Sequence, residues 1–140
     1  MLSLVLKVAA LAAVAATASA DPLPIEGFWR ARSGGGVIEL HRCDDALCGR
    51  IADSDDMRAN PDLRDVNNKH PELRTRLLKG LDIFHGFRGG PDDWTDGRIY
   101  NPNDGRIYRG ELKLVNPNKV LVTGCLVFPL CGAQTWKRVK

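Results

Sequence analysis

From Gly27 onward apolar residues recur at every second position, in short runs broken by Gly, Pro, Asn and Asp. G-F-W-R-A-R reads as a first strand, G-V-I-E-L-H-R-C as a second after the Gly34 to Gly36 turn, and L-C-G-R-I-A as a third. Their period of two is that of strands with unlike faces, and C-D-D-A-L-C between the last two is the tip of a hairpin. Residues 53 to 76 are different: polar, interrupted by Pro61 and Pro71, and without alternation. They read as a long loop with one helical turn around Pro71 to Arg74, since Pro suits a first helical position. Alternation returns in L-D-I-F-H-G-F-R and continues in G-E-L-K-L-V, K-V-L-V-T-G-C and A-Q-T-W-K-R-V, with Asn116-Pro117-Asn118 as a turn. No segment of helical period is long enough for an α/β fold. About eight short strands at this spacing predict an all-β, antiparallel sandwich or barrel.

Between those strands lies D-G-R-I-Y-N-P-N-D-G-R-I-Y, Asp96 to Tyr108, in which one pentapeptide occurs twice. A calcium loop needs glycine at its sixth position, side-chain oxygens at the first and third, and glutamate at the twelfth. Around Gly105 the twelfth is Glu111, but the first and third are Tyr100 and Pro102. Around Gly97 the third is Trp94 and the twelfth Asn103, so both registers fail. Solenoid repeats have periods of roughly 20 residues or more. A hairpin with N-P-N-D-G as its turn fits best. Centred on Asn103, it sets Ile99 opposite Ile107, Arg98 opposite Tyr108 and Tyr100 opposite Arg106. Whether those pairs face solvent or a cavity stays open at this point, and the parity Tyr108 shares with Leu112 and Leu114 favours the inside.

The N-terminal residues change the picture of location. Residues 1 to 20 form an apolar run with Lys7 near the start and small residues at Ala18 and Ala20, the pattern of an export signal removed before Asp21. The rest, residues 21 to 140, is one domain's worth, destined for the periplasm or the exterior. Without Lys7 the 20 basic residues become 19, against 17 acidic, a balance that argues against nucleic acid as partner. No later apolar run approaches a membrane span. The four cysteines, Cys43, Cys48, Cys125 and Cys131, all lie beyond the signal, and an even count in an exported chain points to disulfides. Spacing favours Cys43 with Cys48 and Cys125 with Cys131, local staples contributing about 2 kcal/mol each in the chain-entropy model. The gaps are wider than the paired C-x-x-C of zinc ribbons.

Candidate chemistry is sparse. His41, His70 and His85 share no metal-binding spacing, so no metal or cofactor is expected. The loop carboxylates Asp53, Asp55, Asp56, Asp62 and Asp65, with Asn67 and Asn68, suit turns and helix caps better than a cation site. No Ser, Thr or Cys stands in a nucleophile motif. Trp29 and Trp136, near the first and last strands, are neighbours in a closed barrel and would plug one end of the core.

G-F-W (Gly27 to Trp29), C-D-D-A-L-C-G, D-V-N-N followed by L-R-T-R-L-L-K-G-L, the Trp94 to Tyr108 stretch, and G-C-L-V-F-P-L-C-G-A-Q-T-W-K-R together resemble a family of small exported bacterial proteins. That family is an uncharacterised domain of unknown function whose members look lipocalin-like. The resemblance implies a calycin-type, up-and-down barrel. It makes Gly27-x-Trp29 similar to the opening motif of lipocalins, with Arg138 packing on that tryptophan. It also puts Asp65, Asn68, Arg74, Arg76, Gly80 and Leu81 on a loop motif before a strand. The chain departs from the family at Leu78, where a proline is expected, and in residues 53 to 64, which are longer and more acidic.

The function expected is therefore a non-enzymatic barrel binding a small hydrophobic ligand or an envelope protein, with Trp94, Arg98, Tyr100, Arg106 and Tyr108 as rim or cavity candidates. Two other expectations stand beside it: a hydrolase of an envelope polymer using loop carboxylates, and a structural or stress-linked protein with a filled barrel.

Overall fold

A computed structural model describes residues 9–15, 21–32, 34–127 and 130–140. Most of the expected export signal, residues 1–8 and 16–20, lies outside the described residues, as does Phe128. Eight strands follow one another in chain order: β1 (Gly27–Arg30), β2 (Val37–Cys43), β3 (Ala46–Asp53), β4 (Asp82–Gly89), β5 (Asp93–Asn101), β6 (Arg106–Asn116), β7 (Lys119–Val127) and β8 (Leu130–Arg138). Each pairs antiparallel with the next, and β1 pairs with β8 to close the barrel. Closure leaves no sheet edge to template unwanted pairing.

Up-and-down order gives the barrel two distinct ends. The N-terminal segment, the tight β2–β3, β4–β5 and β6–β7 turns and the C-terminus meet at one end. Trp29, fully buried, plugs it, and the Arg138 guanidinium lies 4.2 Å from the centre of its ring. Arg138 also donates to the carbonyls of Glu26 (2.8 Å) and Pro117 (2.7 Å), tying both termini and a turn together. Gly27 must be glycine here: its φ is +127°, and a Cβ would stand 2.7 Å from Arg138 Nη1. Trp94 is buried at the same end, its indole N–H donating to Pro91 O at 3.1 Å.

Both expected disulfides are present, Cys43–Cys48 at the β2–β3 hairpin and Cys125–Cys131 joining β7 to β8. The expected helical turn is a 3-10 turn at Pro71–Leu73. A second helical element was not expected: α1 (Asp55–Ala59), capped by the Ser54 side chain, which accepts from Met57 N, with Asp55 and Asp56 in its first turn.

The duplicated pentapeptide is a hairpin, but its register differs from the one expected. Ile99 pairs with Tyr108, Tyr100 with Ile107, Arg98 with Arg109 and Asn101 with Arg106, so no cross-strand Arg/Tyr pair forms. The cause is the turn. Four residues, 102 to 105, connect the strands, Gly105 N donates to Asn101 O at 2.8 Å, and Gly105 takes a φ of +68°. That shifts the arms by one residue, and a one-residue shift exchanges every side chain's neighbour. The two copies consequently do different work. Ile99 and Tyr108 face the lumen, whereas Tyr100 and Ile107 lie on the outer face.

The first Asp-Gly is no turn at all. Asp96 adopts φ +60° at a bulge in β5, and Gly97 and Gly110 lie against the fully buried Phe87 ring. A Cβ on Gly97 would stand 2.4 Å from that ring. Gly97→Ala should therefore destabilise the barrel by about 1–3 kcal/mol through overpacking. Chemical denaturation would read this as a lower midpoint at unchanged slope.

Candidate functional site

The opposite end of the barrel is open. Gly34, Gly36, Pro102 and Asn103 border the mouth, and the excursion from β3 to β4 folds across it. Below it lies a cavity of about 570 Å³. Ile38, Ile51, Ile83, Phe84, Ile99 and Val122 form its walls, and Trp136, whose ring is 5.6 Å from Phe84, its floor. Trp136 thus sits one layer above the Trp29 plug. Met57 of α1, Leu63 and Leu78 supply apolar contacts from the crossing segment. Polar groups reach the cavity near its mouth, Asp53, Ser54, Asn101 and Tyr108, while Gln134 lies deeper and accepts from the Trp136 indole N–H at 3.1 Å. Asp53 is engaged by Arg58 at 2.6 Å, and this bond holds its carboxyl below the ordinary carboxylate pKa. Tyr108 donates its hydroxyl to Asp104, which pushes its pKa up.

A buried polar cluster fixes the segment over that mouth. Asp65 has no exposed surface. It accepts from the Tyr100 hydroxyl at 2.5 Å, from Asn68 Nδ2 at 2.9 Å and from Arg76 at 2.9 Å. Arg76 also lies 5.5 Å from the centre of the Tyr100 ring. A second contact grips the hairpin turn: Asn67 Nδ2 donates to the carbonyls of Pro102 (3.1 Å) and Asn103 (3.3 Å). Gly105 allows this approach, since a Cβ there would stand 2.0 Å from Asn67 O. The D-V-N-N motif and the N-P-N-D-G turn are thus two halves of one clasp.

The five residues expected at a rim or cavity are divided among three places. Tyr108 lines the lumen. Trp94 belongs to the plug at the closed end. Arg98 lies on the outer wall and Arg106 at the open end of β6, and both line a groove of about 1020 Å³ between the barrel and residues 68 to 82. Tyr100 borders both spaces, but its hydroxyl is committed to Asp65. The cavity's apolar lining was missed as a site, because alternating isoleucines read as core. The signal available was their number on one face of a barrel with few aromatics to fill it. Among the described residues no three His, Cys, Asp or Glu side chains gather as a metal-holding group, and no helix is long and apolar enough to cross a membrane.

A family model described as "Uncharacterized protein conserved in bacteria (DUF2147)" matches residues 27–138. The chain belongs to the DUF2147 family. The match begins at Gly27 and ends at Arg138, the two residues that meet at the closed end. A solved structure, protein HP1028 from the human pathogen Helicobacter pylori, described as belonging to the lipocalin family, is similar in fold. The TM-score is 0.72 at 20% identity, covering 82% of each chain. No curated protein matches. The DUF2147 chain is thus a closed, lipocalin-like barrel with an uncharacterised family around it.

Burial, followed by the bond to Asp65, pushes the Tyr100 pKa up to about 12. The unfolded value is about 10. A raised folded-state pKa contributes stability that is complete below the unfolded value and is lost as pH rises through the folded one. Stability should therefore fall between about pH 10 and pH 12, and this component should vanish in Tyr100→Phe. At neutral pH the same variant should lose about 1–3 kcal/mol, because Asp65 keeps its burial with one donor fewer. Urea unfolding across that pH range would measure both effects.

Proposed function

We propose that this protein is an exported binding protein that takes a single small apolar ligand into its lumen through the open end. The observation that carries this reading is the cavity of about 570 Å³ beneath residues 53 to 81. Its volume falls within the range of small-molecule sites, roughly 300–1,000 Å³, and apolar walls with a few polar groups at one end are their usual composition. An eight-stranded barrel can fill itself with side chains or hold one ligand, and a space of this size favours the second. The polar groups at the mouth suit a ligand with one polar terminus. Apolar walls supply affinity by burial, at about 25 cal/mol per Å² of surface removed from water.

Export is supported by the sequence of residues 1 to 20 and by two disulfides, which persist in oxidising compartments. Hydrolysis of an envelope polymer is less well supported. A carboxyl group acting as proton donor needs a raised pKa, whereas Arg58 lowers that of Asp53 at the mouth.

Gly124 offers a clean test. It borders the cavity, and a Cβ there would meet only Tyr108 at 3.6 Å and Ile99 at 4.0 Å, ordinary contact distances. Gly124→Leu should fill the space without unfolding the barrel. Native mass spectrometry of protein purified from the periplasm, followed by solvent extraction, should show a bound apolar molecule on the parent chain. The variant should show occupancy reduced by roughly tenfold or more, equivalent to about 1.4 kcal/mol. A parent chain that is bare in repeated preparations and takes up no added apolar ligand would refute the proposal.

A further inference from the structure

The outer wall carries a feature that neither the lumen nor the clasp uses. His85 pairs with Arg98, Arg98 with Arg109, and Arg109 with Cys125, so three basic side chains stand in one row across β4, β5 and β6. Like charges directly opposite one another on neighbouring strands destabilise a sheet. Among the described residues, Arg98, Arg106, Arg109 and Lys69 have no carboxylate within ion-pair distance. Arg98, Arg106 and Lys69 border the outer groove of about 1020 Å³, as does one carboxylate, Asp82, which lies 3.6 Å from His41. Its apolar lining includes Leu73, Leu81, Ile107 and Leu126. Ile107 is 59% exposed and Leu126 37%, apolar surface left open beside unpaired arginines.

We infer that this groove is a second binding site, for a single-chain amphiphile with an anionic phosphate head. The chain would lie on Ile107, Leu126 and Leu73, and the head would sit among Arg98, Arg106 and Lys69. Charge complementarity selects the head, because guanidinium groups match phosphate oxygens in geometry as well as charge. The length of the apolar lining selects a chain over a bare ion. The site is on the opposite side of the barrel wall from the lumen, and it stands whether or not the lumen takes a ligand.

The probe is dodecyl phosphate below its micelle concentration, with inorganic phosphate and dodecyl maltoside as controls. Binding is followed by isoleucine-methyl NMR. Ile107 should shift, whether or not Ile38, Ile51 and Ile83 in the lumen respond as well. Arg98→Gln with Arg106→Gln should weaken binding by about tenfold or more, and added salt should weaken it in the parent chain. Both residues are exposed, and removing Arg98 relieves the contact with Arg109, so the melting temperature of the double variant should hold or rise. Four results would overturn the inference: no Ile107 shift with dodecyl phosphate; equal binding by the double variant; equal binding of inorganic phosphate or dodecyl maltoside; or attachment to anionic phospholipid vesicles without binding of the monomeric probe, which would assign the patch to a bilayer surface.

Discussion

The site rests on one buried carboxylate. An ionised group removed from water must be paired and hydrogen-bonded, or its desolvation exceeds anything gained. Asp65 meets that demand with donors from three places: the β5 wall (Tyr100), its own turn (Asn68) and the returning arm of the same excursion (Arg76). No two of these are held together by regular sheet pairing. The carboxylate therefore converts a polar, proline-broken segment of some thirty residues into a fixed cover, and the cover sets the shape of the mouth. Buried polar networks of this kind impose a single arrangement because partial satisfaction is worse than none.

Much of this is legible in the sequence, for physical reasons. Alternation with turn residues gave eight strands, because one face of each strand must meet the core and the other water. The cysteine spacing allowed two local staples, and both formed. Gly27, Trp29 and Arg138 could be placed at one end because the resemblance joined them, and the structure stacks them there. The register of the duplicated hairpin was not legible. D-G-R-I-Y carries the same local preferences in both copies, and only the approach of Asn67 to Gly105 and the resulting four-residue turn decide which neighbour each residue meets. That contact is long-range, so composition near the turn could not reveal it. Helix α1 had a local signal, Ser54 followed by two aspartates, obscured by the surrounding acidic loop.

The same one-residue shift separates the two surfaces of the protein. It turns Ile99 and Tyr108 toward the lumen and leaves Tyr100 free to meet Asp65, with Ile107 on the exterior beside Arg98. Glycines adapt the wall to this arrangement: Gly97 and Gly110 make room for Phe87, and Gly124 leaves space above Tyr108. Where the barrel is filled, as at Trp29 and Phe87, glycine serves packing; where it is hollow, glycine preserves volume.

The central claim is that the lumen admits an apolar molecule. The chain's isoleucines are distributed almost ideally for testing it: Ile38, Ile51, Ile83 and Ile99 line the cavity, Ile25 is buried elsewhere, and Ile107 lies outside. Titration of isoleucine-methyl-labelled protein with an uncharged, cavity-sized apolar ligand addresses the claim directly. The account predicts saturable shifts of the four lumen methyls, with Ile25 and Ile107 unmoved. Lumen methyls that stay fixed through a series of such ligands, or shifts confined to Ile107, would contradict it.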